Sequence, residues 1–330
     1  MAKGIIISGG GRYLLCALVN VRMLRDHGFD LPVELWMFRN ERLPSSAIRE
    51  LERWNVHCRE LPPLPTPYAS KPYALVHSSF EELLVLDADN TPIRNPEYLF
   101  DSAPYQETGA LFWPDFEWAP PNEAWSMLAK LPEPRRVRQQ ESGQLVIDRS
   151  RCQEALAQTL DYNERYPEIR SFLWGAGGDK DTFQLAWYAT QTPFHMIPFY
   201  PGSAGKTVDG EFRSNTMVQH DPDGKPLFMH KNSLKWHLLR NESQAWEQCI
   251  FAKQPSGENI SYSISGDSIG HSHQLLPKEE TETVDAKKVI ANLEEDCLNW
   301  ISKIRSQGWY RRAVFQFYLR DYLKRIFRSS

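Results

Sequence analysis

The chain has 330 residues, 41% of them hydrophobic and 12% aromatic, with a formal charge of −4. That composition supports one large core or two moderate ones and excludes wholesale disorder, and the mild negative charge offers nothing to attract nucleic acid. The five cysteines, Cys16, Cys58, Cys152, Cys249 and Cys297, are scattered without a CxxC pair; this excludes a disulfide framework and a structural zinc site and points to a reducing, cytoplasmic compartment.

In chain order, "GIIIS" at 4–8 is a short apolar run halted by Gly9, Gly10 and Gly11, followed by leucines and valines at helical spacing over 12–27. "PVELWMF" predicts a second strand, 46–54 a helix, "VHCREL" a third strand, and 71–82 a helix leading into the strand "LLVLD". Strands alternating with helices predict a mostly parallel sheet whose ligand lies beyond the carboxyl ends of the strands. "GALFWPDF" (109–116) and "ESGQLVIDRS" (141–150) continue the pattern. A helix at about 151–166 and a glycine-rich turn entering the helix "DKDTFQLAWYAT" come next. "MVQHDPDGKPLFMHKN" predicts two strands joined at Asp221-Pro222-Asp223-Gly224, the second delivering His230. "GSAGK" at 202–206 has the composition of a mobile loop or surface turn, 253–283 reads as a polar loop or insertion, and helices over 284–306 and 309–327 close the chain. No stretch has the length and apolarity of a signal peptide or a membrane span.

The strand "LLVLD" stops at Asp87 and Asp89, one residue apart. Side-chain alternation would aim both carboxylates one way and Ala88 into the sheet. Two converging carboxylates share a proton or a cation, and oxygen ligands suit Mn²⁺ or Mg²⁺, which could in turn hold a diphosphate. The plainer alternative is a polar turn running through Asn90, Thr91 and Pro92. "DADNT" also matches the DxDx[TV] of haloacid-dehalogenase-type phosphatases, in which Asp87 and Asp89 would be nucleophile and acid/base. That motif normally ends the first strand of its domain, whereas here three strands and a glycine turn come first. A non-catalytic carbohydrate- or metal-binding protein is the third possibility.

"KPYALVHSSFEELLVLDADNTPIRNPEYLFDS", then "GALFWPDF", "ESGQLVIDRS", "GGDKDTFQLAW" and "FMHKNSLK" in that order, resemble the α-mannosyltransferase family that builds branched mannans in fungi and has bacterial relatives. The resemblance spans roughly residues 4–240. It implies a GT-A glycosyltransferase fold, α/β with a mostly parallel central sheet and flanking helices. The catalytic domain would cover 1–240, with a nucleotide-binding half at about 1–100 and an acceptor half at about 101–240; 241–283 would be a polar insertion and 284–330 a C-terminal helical extension. It further implies a retaining transfer of a sugar, mannose favoured, from a nucleotide-diphosphate donor (GDP-mannose, or a UDP-sugar) to a glycan or lipid-linked acceptor. The fungal N-terminal membrane anchor is not seen, which points either to a bacterial cytoplasmic enzyme, at most peripheral on the inner face of the cell membrane, or to a chain trimmed of its anchor.

Residue by residue, Asp87 and Asp89 are the expected metal ligands, with His230 as a third through "HKNSLKW", which resembles the His-x-x-Gly-x-x-Lys-Pro-Trp segment of related retaining transferases. Ser233 stands at its glycine, Lys235 comes one residue early and the proline is absent, so both Lys235 and Lys231 are candidates for the diphosphate. Asp179, in a stretch that resembles a donor-sugar-binding segment, meets sugar hydroxyls, unless it or Asp181 simply caps the helix that begins there. Glu141 either approaches the anomeric carbon or the acceptor hydroxyl, or is an exposed strand-end glutamate, and Asp115 is an acceptor-side candidate. On the donor side, Gly9, Gly10 and Gly11 would admit a base or ribose, Ala88 lies between the metal ligands, Arg12 or Lys71 would meet phosphate oxygens, and Tyr13 either stacks on the base or packs. The basic, aromatic tail "WYRRAVFQFYLRDYLKRIFRSS" suits either an anionic membrane surface or packing on the catalytic domain.

Overall fold

Apolar runs and glycine turns generate the first half of the fold in the expected order. The computed structural model describes residues 2–120, 122–132, 136–173, 178–240, 243–267 and 270–326. Strand β1 (Lys3–Ser8), one 3₁₀ turn (Gly11–Tyr13) and helix α1 (Leu14–Asp26) are followed by β2 (Val33–Phe38), α2 (Ser45–Glu52), β3 (Val56–Leu61), α3 (Ser70–His77), β4 (Glu82–Asp87) and the short β5 (Asn90–Pro92). Next come α4 (Ala103–Thr108), β6 (Ala110–Trp118), α5 (Ala124–Met127), β7 (Arg138–Asp148), α6 (Gln153–Glu164), α7 (Tyr166–Ile169), α8 (Lys180–Thr190) and β8 (His195–Met196). The seven-stranded sheet has the order β3-β2-β1-β4-β7-β6-β8. All its pairings are parallel except the two that β7 makes, with β4 and β6. The mostly parallel central sheet with flanking helices is therefore present.

Both faces of this sheet are covered, which is why its strands read as unbroken apolar runs. Ile5, Ile7, Leu84 and Leu86 join the core on the α1 side. Ile6, Leu83 and Val85 join the opposite core with residues of α3, α6 and α8. The helix expected to run to residue 82 ends at His77. Ser79 instead gives its hydroxyl and backbone N–H to the buried Glu34 carboxylate. Glu82 pairs inside the sheet with Lys3 and Asp148 and accepts a bond from Tyr105.

A second, six-stranded sheet contains β9 (Gly202–Val208), β10 (Glu211–His220), β11 (Pro226–His230), β12 (Gln248–Ala252) and, after the hairpin β13 (Ser261–Asp267) and β14 (Gly270–Leu276), β15 (Thr281–Asp285). Its order is β15-β12-β9-β10-β11-β5, antiparallel throughout. Three expectations are corrected here. "GSAGK" at 202–206 is the buried strand β9 between β10 and β12, held by ladder hydrogen bonds on both sides, and not a mobile loop. Asn90, Thr91 and Pro92 are a buried edge strand paired with β11 rather than a free turn. The stretch 253–283 is not a bare loop: Ile260, just before its hairpin, and Leu275 within it pack on Phe116, Tyr200 and Met217 in a third small core, despite the polar composition.

Helices α9 (Ala286–Ile290), α10 (Leu293–Ser306) and α11 (Gly308–Ile326) return to the α1 side, where Ile290, Leu293, Cys297, Ile301, Ile304 and Tyr310 join the first core. The single helix expected over 284–306 is interrupted at Ala291, whose φ is +48°. No described helix is long and apolar enough to cross a membrane.

Candidate active site

Strand β4 delivers Asp87 at its last residue, and the chain then turns through Ala88 and Asp89 into β5. Because Asp89 lies in the turn, simple strand alternation does not govern it, and the two carboxylates meet different neighbours. The turn is fastened from three directions. From α1, the buried Asn20 amide donates to the Asp87 carbonyl (2.9 Å) and its oxygen accepts from the Thr91 hydroxyl (2.7 Å). From β7, the Gly143 carbonyl accepts from the Asn90 amide at 2.9 Å. From β11, His230 lies opposite Asn90, and the Lys231 N–H donates to the Asp89 carbonyl at 2.9 Å.

The β5–β11 pairing is thus the device that brings His230 to the aspartates. One ligand atom each from Asp87, Asp89 and His230 lie within 4.8 Å of one another, and His230 Nε2 is 3.5 Å from Asp89 Oδ1. Two atoms on one Mn²⁺ or Mg²⁺ sit at most about 4.4 Å apart, so a few tenths of an ångström of adjustment closes the set around a cation. The other ring nitrogen, Nδ1, is buried without a hydrogen-bond partner among the described residues, 3.9 Å from Glu141 Oε1. The donor set of two carboxylates and one imidazole fits such a cation.

Glycine at 143 is what lets this ring fit. A Cβ there would stand 2.6 Å from His230 Cε1 and 2.7 Å from Nδ1. Gly143→Ala should therefore displace the imidazole and raise the Mn²⁺ concentration needed for half-maximal activity by about tenfold, the scale of disturbing a group that orients a ligand. Titration of activity with Mn²⁺, against an unchanged melting temperature, checks this.

Lysines surround the carboxylates. Lys71 in α3, 5% exposed, lies behind the cluster: its ammonium is 2.8 Å from Asp87 Oδ1, 3.3 Å from Asp179 Oδ2 and 2.8 Å from the Ser142 carbonyl. Burial pulls its pKa down, but Asp179 and Asp87 outweigh that and leave it raised. Lys71 is thus a fixed internal cation, not the side chain free to meet phosphate that the sequence suggested. Lys235 forms the ion pair with Asp89 and lies over the Tyr13 ring at 5.5 Å; burial lowers its pKa. Lys231, the other diphosphate candidate, is buried with its ammonium 3.9 Å from the Trp236 ring and 4.9 Å from that of Trp246. Those indoles receive it.

Asp179 does not cap α8 with its side chain; its carboxylate takes the Ser142 hydroxyl at 3.1 Å and faces Lys71. The glycine-rich turn before it lies, at 174–177, outside the described residues. Glu141 is largely buried in the cluster instead of exposed at a strand end, and its Oε1 accepts the Gly143 N–H at 2.9 Å. Asp115 is paired with Lys180, which also donates to Gln139 at 3.0 Å. Lys180 and Ser142 are site residues that the sequence reading passed over.

Five carboxylates (Asp87, Asp89, Asp115, Asp179, Glu141) face three lysines (Lys71, Lys180, Lys235), a surplus of two negative charges. Burial pushes Asp87 up, yet Lys71, His230 and Lys235 hold it below the usual carboxylate range. Burial raises Asp179 despite Lys71, and it raises Glu141 despite His230. A divalent cation would relieve this surplus.

On the donor side, the room left by the three glycines is filled by the protein. A Cβ on Gly9 would meet the Ala88 methyl at 2.6 Å, one on Gly10 the Met37 side chain at 2.7 Å, and one on Gly11 (φ +53°) Glu41 and Phe317. The turn therefore packs under the aspartates. Beside it, Arg12, Tyr13, Lys235, Trp236, Leu238 and Tyr318 line a cavity of about 260 Å³, and the exposed Arg12 guanidinium lies over the Tyr13 ring.

A family model described as "Mannosyltransferase putative" matches residues 2–130 and 120–221, together about two thirds of the chain. Alpha-1,2-mannosyltransferase MNN24 of Candida albicans is 28% identical over 266 residues, covering 66% of this chain and 38% of its own length. Alpha-1,2-mannosyltransferase MNN2 of Saccharomyces cerevisiae is 28% identical over 270 residues, covering 66% and 45%. The chain thus spans less than half the length of either relative. Among solved structures, the glycosyltransferase GlyE of Streptococcus pneumoniae superimposes with a TM-score of 0.40 at 11% identity, over 59% of this chain and 44% of that one.

Proposed function

The chain belongs to the putative mannosyltransferase family, and on that premise we propose that it moves a sugar from a nucleotide-diphosphate donor to a hydroxyl of a glycan or glycolipid acceptor, with retention at the anomeric carbon. Mannose and GDP-mannose are the favoured sugar and donor, and the cytoplasm is the favoured location. The observation that carries this reading is the convergence of Asp87, Asp89 and His230, from distant parts of the chain, on one point.

A divalent cation held there, Mn²⁺ or Mg²⁺, would supply the charge that a departing nucleotide diphosphate needs. The protein's own groups do the rest. Lys235, paired with Asp89 across the mouth of the site, is placed to turn outward to a phosphate oxygen. The neighbouring cavity with Arg12 and Tyr13 is where the nucleotide would lie. Lys71 stays behind, fixing Asp87 and Asp179 and leaving Asp179 at the donor sugar.

Retention requires either double displacement or attack from the face that the leaving group vacates. Glu141 Oε1 is held by the Gly143 N–H at 2.9 Å, which ties up an oxygen that a double displacement would use. Same-face attack is therefore the favoured route. The bond from the anomeric carbon to phosphate oxygen breaks, the acceptor oxygen bonds to that carbon, and its proton passes to the departing phosphate. Asp115 with Lys180 would orient the acceptor.

Incubation with GDP- and UDP-sugars plus Mn²⁺ tests the proposal: turnover of a nucleotide sugar, GDP-mannose first, is expected. Phosphate release from simple monoesters without any nucleotide-sugar turnover would overturn it in favour of phosphatase chemistry.

A further inference from the structure

Helix α11 is apolar on two faces, and the fold uses only one. Tyr310, Ala313 and Val314 are buried in the core, with Phe317 against Gly11. Phe315 (66% exposed), Tyr318, Leu319, Tyr322 (62%), Leu323 and Ile326 are exposed. At 100° per residue these six fall on one contiguous face opposite the packed one. They make up half of the large exposed apolar side chains among the described residues. Leu239, 61% exposed, follows Leu238, which lines one cavity with Tyr318.

Charge says what covers this face. In the sequence, residues 308–330 carry six cations (Arg311, Arg312, Arg320, Lys324, Arg325 and Arg328) against Asp321, a net of +5 in a chain whose total is −4. Arg311 and Arg312 are exposed one turn before Phe315 on its side of the helix, and Arg320, whose guanidinium reaches the Arg42 carbonyl, stands at the margin beside Leu323. An aromatic and leucine face flanked by cations, on a protein otherwise negative, is complementary to an anionic bilayer surface. A second copy of the chain would set these cations against like charge.

We propose that α11 lies flat on an anionic membrane surface, its 315–326 face among the acyl chains and its arginines at the headgroups. The docked helix has its other face on the glycine turn, and Tyr318 lines the same cavity as Arg12, Tyr13 and Lys235. Docking therefore brings the mouth of the site to the bilayer, where a glycolipid acceptor would present its sugar. That last consequence rests on the transferase reading; the docking does not.

The test is sedimentation of the whole protein with vesicles of phosphatidylcholine alone or mixed with phosphatidylglycerol. The expected result is binding to the anionic vesicles only, weakened by salt and lost by about tenfold or more in F315S/L319S/Y322S. The variant should keep its melting temperature and its rate of GDP-mannose hydrolysis, since none of the three residues reaches the site. No binding of the parent protein to anionic vesicles would overturn the proposal. A parent dimer that the triple substitution converts to monomer would also overturn it, by assigning the face to a second copy. Absence of donor turnover in parent and variant alike, with vesicle binding intact, would instead refute the transferase reading alone.

Discussion

Asp87→Asn and Asp89→Asn are each expected to reduce sugar transfer and donor hydrolysis by about 10²–10³-fold or more, since each removes a charged ligand from the point where phosphate charge develops. The two should differ in stability. Asp87 is one of two carboxylates on the buried Lys71 ammonium; its loss leaves Asp179 and Ser142 to hold that cation, at a cost of about 1–3 kcal/mol. Asp89 pairs with Lys235, a half-exposed side chain that can turn to water, so Asp89→Asn should melt close to the parent protein. Steady-state assays in saturating Mn²⁺ with parallel thermal melts check both parts. Full turnover by either variant, or by the parent protein in excess chelator, would sink the metal assignment.

His230→Ala is expected to behave differently. Disturbing groups that merely orient a metal ligand typically costs 10–100-fold in affinity, so removing a ligand should weaken Mn²⁺ binding by at least about tenfold. The charged pair remains, and water can replace a neutral imidazole, so high Mn²⁺ should restore much of the activity, as it should not for the aspartate variants. The buried Nδ1 makes no hydrogen bond among the described residues, so none of those is lost on that side of the ring. Mn²⁺ titrations of activity and binding, run side by side, must shift together. Unchanged Mn²⁺ dependence would remove His230 from the site.

Strand β4 and its terminal aspartates were legible because an apolar run buried on both faces and then stopped by carboxylates has few structural explanations. His230 was legible only through the hairpin signal at Asp221–Gly224 and the "HKNSLKW" resemblance; that β11 pairs with β5, and so reaches Asp89, is a long-range pairing that no local pattern encodes. The lysines were harder. Periodicity does not say which way a lysine near the start of a helix points, and Lys71 turns inward to Asp87 and Asp179. Of Lys231 and Lys235, four residues apart and both candidates by sequence, the second reaches Asp89 while the first lies over Trp236 and Trp246. Lys180 went unnoticed because Asp115, the carboxylate that pairs with it, is distant in sequence.

The second sheet was underread for a compositional reason. Glycine and serine at 202–205 argue against a strand, yet a Cβ on Gly205 would stand 2.0 Å from the Arg213 carbonyl oxygen. Glycine is there so that β9 can lie close to β10, a requirement of packing that looks like flexibility when read locally.

Crystals of the protein grown with Mn²⁺ and GDP, measured at the manganese absorption edge, test the central claim most directly. The account predicts one anomalous peak with Asp87, Asp89 and the His230 ring nitrogen nearest Asp89 at roughly 2.0–2.3 Å, and with Lys235 moved from Asp89 toward the diphosphate. A peak elsewhere, or a His230 ring turned away from the ion with both nitrogens bonded to protein groups, would contradict it.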